Sequence, residues 1–170
     1  MGLDMYLSAA KYIAGYDFLP QEERTQYFDL VGMFSMADAV DEHTPSATVS
    51  FTVGYWRKAN AIHKWFVDNA QGGVDDCRDA YVSREQLIEL SDACKTVLAS
   101  LHMKSIGGEE EVASNIEVAE ALLPTASGFF FGGTGYDEWY KYELENTISI
   151  IDRALRLVPT EWYFEYHSSW

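Results

Sequence analysis

Residues 47–73, ATVSFTVGYWRKANAIHKWFVDNAQGG, contain a change of hydrophobic period that decides the fold class. From Ala47 to Val53 the β-branched Thr48, Val49, Thr52 and Val53 surround Phe51, a composition suited to a pleated, half-buried strand. Beyond Gly54 the period lengthens. Trp56, Ala59, Ile62, Phe66 and Val67 share one broad face of a helical wheel, which predicts a helix from Tyr55 to about Ala70, stopped by Gly72-Gly73. A strand leading into a helix makes this a mixed chain rather than an all-α or all-β one.

Working outward, Leu3, Met5 and Leu7 alternate as a strand does. Gln21 to Asp41 is weakly patterned and reads as a short helix and loop, and Thr44-Pro45-Ser46 breaks the chain. Downstream, Ser83 and Gln86 have capping-box spacing, and Leu87, Leu90, Cys94, Val97, Leu98 and Leu101 form one stripe, predicting a helix over about 84–102. Ser105 to Val112, with Gly107-Gly108 and three Glu in a row, reads as a solvated loop or helix start. A short helix over 115–123 is stopped by Pro124, and Phe129-Phe130-Phe131 reads as a buried strand or ordered loop. Tyr140, Leu144, Thr147, Ile148, Ile151 and Leu155 line one side of a helix over about 137–157, closed by Pro159. Trp162, Phe164 and Tyr166 alternate with Tyr163, Glu165 and His167 in a final strand. The expected architecture is α+β: one domain over residues 1–170, with several helices on one face of a small, mostly antiparallel sheet.

Composition narrows the function classes. The 170 residues are 48% hydrophobic and 15% aromatic, enough for a real core. The net charge of −15 repels phosphate backbones and argues against direct nucleic-acid binding. Cys77 and Cys94 imply no disulfide framework. The opening MGLDMYLSAA has no basic segment before an apolar run, and no stretch is apolar enough to span a membrane, so a cytoplasmic chain is expected. His43, His63, His102 and His167 are scattered, no paired Cys-x-x-Cys exists, and no Gly-x-Ser-x-Gly elbow appears. No metal, cofactor or catalytic residue is therefore assigned.

Two segments hold the candidate ligand-binding residues. In the 55–66 segment the cations gather among aromatics. Asn60 falls at the edge of the apolar face, His63 falls inside it, and Arg57 and Lys64 lie to the far side. This is either a core helix with a satisfied His63 and scattered surface cations, or a pocket rim. In a rim, Asn60 and His63 would donate to a polar ligand, Arg57 or Lys64 would supply charge, and Tyr55 and Trp56 would stack. The second segment, SGFFFGGTGYDEWY at 127–140, places a Gly-rich turn before a helix start, with Tyr136, Asp137 and Trp139 at hand. It lacks the Gly-Lys-Ser/Thr of a Walker loop, and Asp137 and Glu138 would repel a phosphate at that helix end.

MGLDMYL, YWRKANAIHKWFV, SGFFFGGTGYDEWY and the terminal FEYHSSW together resemble a family of uncharacterised small proteins carried by bacteriophages and prophages. The resemblance implies a phage gene product in the cytoplasm of a bacterial host, where small acidic proteins often counter host defence. The leading expectation is capture of a small, anionic, nucleotide-like ligand around the 55–66 helix and the 128–140 loop. An alternative is an acidic nucleic-acid mimic that blocks a basic surface of a host defence protein, with Glu109, Glu110 and Glu111 among its charges. A third is a nucleotide hydrolase using His63, which requires the fold to bring Asp4, Asp137 or Glu165 beside it. Exposed aromatics would also suit a homodimer.

Overall fold

The computed structural model describes residues 2–106, 110–128 and 130–170. In chain order the elements are β1 (Asp4–Ala14), α1 (Gln21–Met33), β2 (Ser46–Arg57), α2 (Asn60–Asn69), β3 (Ala80–Val82), α3 (Arg84–Ser100), β4 (Met103–Ile106), β5 (Glu110–Ala113), α4 (Glu117–Leu122), α5 (Glu138–Leu157) and β6 (Tyr163–Ser169). The fold is α+β, as expected, with a four-stranded antiparallel sheet in the order β2-β1-β6-β3. The chain divides into two compact units, one of Met1–Ala9 with Thr52–Trp170 and the other of Ala10–Phe51.

The larger unit holds the core. Met5 and Leu7 point inward from β1, with Leu3 buried just before it, and Phe164 and Tyr166 point inward from β6, so alternation places both strands correctly. Across from them stand Ile62 and Phe66 of α2, Leu87, Leu90, Cys94 and Val97 of α3, and Leu144 and Ile151 of α5. The Ser83 capping box is made in both directions, fixing the start of α3. Burial pushes the Cys94 thiol up to about 12, as suits a small core residue that never ionises. In the smaller unit α1 buries Tyr27 and Val31, and Arg24 pairs with Asp17 at 2.8 Å.

Two expectations are corrected, and one strand goes unanticipated. First, the helix predicted from Tyr55 begins at Asn60, because β2 continues through Gly54 to Arg57. Gly54 is not a boundary. A Cβ there would lie 2.5 Å from Cγ2 of Ile150 on α5, so glycine is what lets the helix press onto the strand. Second, the stretch read as a solvated loop or helix start contains strand: Met103 pairs with Ala113 and Ile106 with Glu110 in an antiparallel ribbon. Its acidic side chains hide any alternation, and Gly107, Gly108 and Glu109 lie outside the described residues. Third, β3 is three residues long, too short to show a period, yet it pairs Ala80 with Tyr166 and Val82 with Phe164. Phe130 and Phe131 belong to a loop, with Phe131 buried, and Phe129 is outside the described residues.

Candidate functional site

The end of β2, the turn into α2, the 125–135 loop and the first turns of α5 enclose a cavity of about 760 Å³. That is ample for a small organic ligand. The segments that form it lie on both sides of the core in sequence but within the larger unit. Of the eight residues singled out from sequence, Tyr55, Trp56, Arg57, Asn60, Asp137 and Trp139 line this cavity; His63 and Tyr136 do not.

On strand β2 the residues alternate. Trp56 turns inward and donates from Nε1 to Thr147 Oγ1 at 2.9 Å, tying the strand to α5. Tyr55 and Arg57 point the other way and are exposed. The Tyr55 hydroxyl donates to Asp4, and this hydrogen bond holds its phenol above the ordinary range. Arg57 lies only 3.9 Å from Asp4, a loose pair that leaves most of its guanidinium in solvent. Lys58, a cation the sequence analysis does not single out, also lines the cavity. Its backbone is left-handed (φ 61°), a conformation that is unfavourable for any residue with a Cβ. The strain is held by bonds on both sides: Lys58 N–H donates to Leu3 O at 2.8 Å, and Lys58 O accepts from Asn60 N–H at 2.9 Å. Lys64, the other cation considered, instead pairs with Asp68 at 2.7 Å on the helix surface.

Asn60 is a clamp. Its amide donates to Gly133 O at 2.7 Å and Phe131 O at 3.2 Å, while its oxygen accepts from Ala126 N–H at 3.0 Å. All of its strong hydrogen-bonding groups are thereby spent on shaping the 126–133 loop. Gly132 (φ 86°) brings that loop against Lys58: a Cβ added there would sit 3.2 Å from the Lys58 Cβ. Asp137 caps α5 by accepting from Tyr140 N–H at 3.0 Å, so its charge is engaged by the helix terminus. Tyr136 packs edge-on against Tyr140 at 4.9 Å.

His63 is 1% exposed and both ring nitrogens are occupied, Nδ1 by the Tyr166 hydroxyl at 2.7 Å and Nε2 by Asp75 at 3.0 Å. Burial pushes the Tyr166 phenol far up, so it stays protonated. The Asp75 carboxylate also accepts from Trp170 Nε1 at 3.1 Å. The acidic partner is Asp75, not Asp4, Asp137 or Glu165. This relay ties α2 to β6 away from the cavity lining.

Along α5, Trp139, Glu143 and Asn146 are spaced i, i+4, i+7 and all line the cavity, with Tyr142 beside them. Trp139 is 73% exposed and meets Tyr142 edge-on at 6.1 Å, forming an aromatic lip. Glu143 is half-buried, with Oε2 shielded and without a hydrogen-bond partner, and burial pushes its carboxyl up to about 7. Sequence reading missed Glu143 and Asn146, although the wheel that placed Leu144 and Ile151 inward puts them beside Trp139. Among the described residues no cluster of His, Cys, Asp and Glu suits a metal ion, and no helix is long and apolar enough to cross a membrane. Comparison with protein-family models, curated proteins and solved structures finds no match.

Proposed function

We propose that the protein binds a small, anionic, nucleotide-like ligand in the cavity between the end of β2 and the start of α5. The observation that carries this reading is the distribution of groups in one 760 Å³ space. Arg57, only loosely paired with Asp4 at 3.9 Å, and Lys58, with no ion pair among the described residues, stand on one side, and the exposed rings of Trp139 and Tyr142 on the other. Cations match a phosphate, and flat rings at the lip match a base whatever its identity. Because Asn60 and Asp137 are engaged by the protein, charge recognition falls to Arg57 and Lys58. Together with the resemblance to phage proteins, this supports capture of a nucleotide signal of host defence in the bacterial cytoplasm.

Lys58→Gly gives a clean test. Glycine accepts the left-handed backbone without strain, so the variant should melt no lower than the parent while losing the ammonium group. Titration calorimetry with mono- and cyclic dinucleotides should show roughly tenfold weaker binding, as expected for loss of a charge-assisted contact. Equal affinity in parent and variant would remove Lys58 from the site. Absence of nucleotide binding, together with a salt-sensitive complex with a basic protein, would instead favour the acidic-inhibitor reading.

A further inference from the structure

We infer that the C-terminal end of α1 is a docking surface for a basic amphipathic helix of a partner protein. Met33, Phe34 and Met36 enter the apolar stripe of that helix, while Asp29 and Asp38 face its Lys and Arg side chains. The inference concerns the smaller unit alone and is independent of the nucleotide reading.

Large apolar side chains ordinarily leave water on folding, and these do not. Met33 is 75% exposed, Phe34 65% and Met36 46%, so three of them stand in solvent within four residues. Single exposed apolar residues are common, whereas a cluster marks an interaction site. The turn that carries them is not frayed. Met36 N–H donates to Val31 O at 2.9 Å and Ser35 N–H to Gly32 O at 3.1 Å, the paired bonds of a Schellman helix end. Ser35 takes the left-handed backbone (φ 56°) that this ending requires. The Ala39 and Val40 N–H groups then both return to Met36 O, closing the next turn. A helix end of this kind calls for one apolar residue, at Met36. It gives Met33 and Phe34 no reason to be apolar.

Charge chooses the occupant. Asp29 lies one turn before Met33 on α1, and Asp38 follows Met36, both exposed. Their side chains make no hydrogen bond or ion pair among the described residues. No Lys or Arg occurs between Arg24 and Arg57, so no fixed positive charge in this stretch offsets the acids. A second copy would set the same acids against these and be repelled, and so would an anionic membrane. A helix whose apolar stripe is flanked by Lys and Arg supplies both complements at once. Methionine suits such a surface, because its flexible, polarisable side chain repacks around different apolar partners.

The probe for the test is a labelled Leu/Lys amphipathic helix of about 18 residues, compared with a peptide of the same composition in scrambled order. Fluorescence anisotropy against the full chain at about 50 and about 300 mM salt reads the affinity. The amphipathic peptide should bind about tenfold or more tighter than the scrambled one. Combining Met33→Ser, Phe34→Ser and Met36→Ser should weaken it about tenfold or more, with melting unchanged because these side chains are exposed. Asp29→Asn with Asp38→Asn should weaken binding about threefold at the lower salt and little at the higher. Equal binding of the two peptides, no binding by the parent, or an affinity that either variant leaves unchanged overturns the proposal. Sedimentation equilibrium showing a parent dimer that the serine variant abolishes also overturns it, in favour of a second copy on this face.

Discussion

Replacing Glu143 with glutamine should stabilise the protein, by an amount that grows as pH rises from about 5 through neutrality. Gln has the same shape and cannot ionise. In the folded chain burial raises the Glu143 carboxyl from 4.5 to about 7. The sign follows from linkage: a raised carboxyl favours folding fully below its unfolded value, and that favour disappears as pH rises through the folded value. At pH 8 the ionised group therefore works against the fold. Fully realised, the shift would be worth about 3 kcal/mol. Because Glu143 is only half-buried, solvent screening cuts this to about 1–2 kcal/mol. In a chain of this size that corresponds to a rise of roughly 2–8 °C in melting temperature. Thermal melts of parent and Glu143→Gln across pH 4.5 to 8.5 would measure it. The variant's advantage should open between about pH 5 and 8 and then level off. A difference that is flat with pH, or that favours the parent at pH 8, would refute the premise that burial holds this carboxyl near neutrality.

Asn60→Ala should cost about 2–3 kcal/mol, since it leaves Ala126 N–H without its acceptor and the Phe131 and Gly133 carbonyls without their donor. Melting should fall accordingly, and amide exchange at Ala126 should quicken; unchanged exchange would show that the 126–133 loop holds its shape without the clamp. His63→Leu should destabilise the fold by about 2–4 kcal/mol through the orphaned Tyr166 hydroxyl and Asp75 carboxylate, yet leave nucleotide affinity of the folded protein unaltered. A selective loss of affinity at unchanged stability would return His63 to the binding site.

Residues whose environment is set by their own element were the legible ones. Leu87 to Val97 on α3 and Leu3 to Leu7 on β1 carry strong periods, and the structure buries them on the expected faces. The Ser83–Gln86 box is local chemistry and forms as written. Gly54 was misread because a glycine before a helical pattern and a glycine under a crossing helix look the same in sequence; only the arrival of Ile150 separates them. Moving the helix start to Asn60 then transfers Tyr55, Trp56 and Arg57 from a wheel to a strand. For His63 the sequence leaves a satisfied core residue and a rim donor both open, and the structure gives the first; its partners, Asp75 and Tyr166, lie on other segments, and no local spacing announces them. Glu143 was legible by spacing, but its chemistry was not, since the shift arises from burial that three-dimensional packing alone creates.

Three unfavourable features meet at this one cavity. Lys58 holds a left-handed backbone that glycine would accept more readily, Glu143 keeps a shielded oxygen with no donor, and Trp139 leaves most of a large ring in water. Each taken singly has an ordinary explanation in packing or turn geometry. Their coincidence does not, because nothing in the folding of α5 requires a carboxylate at 143 when glutamine would fit the same space. Folding alone would tend to remove such features, and strain and unmet polar groups persist where something other than the fold maintains them. The Asn60 clamp, the Asp137 cap and the Trp56–Thr147 bond tie the walls of the cavity to one another. The proposed ligand accounts for that coincidence: phosphate would meet the strained cation and a flat base the exposed ring.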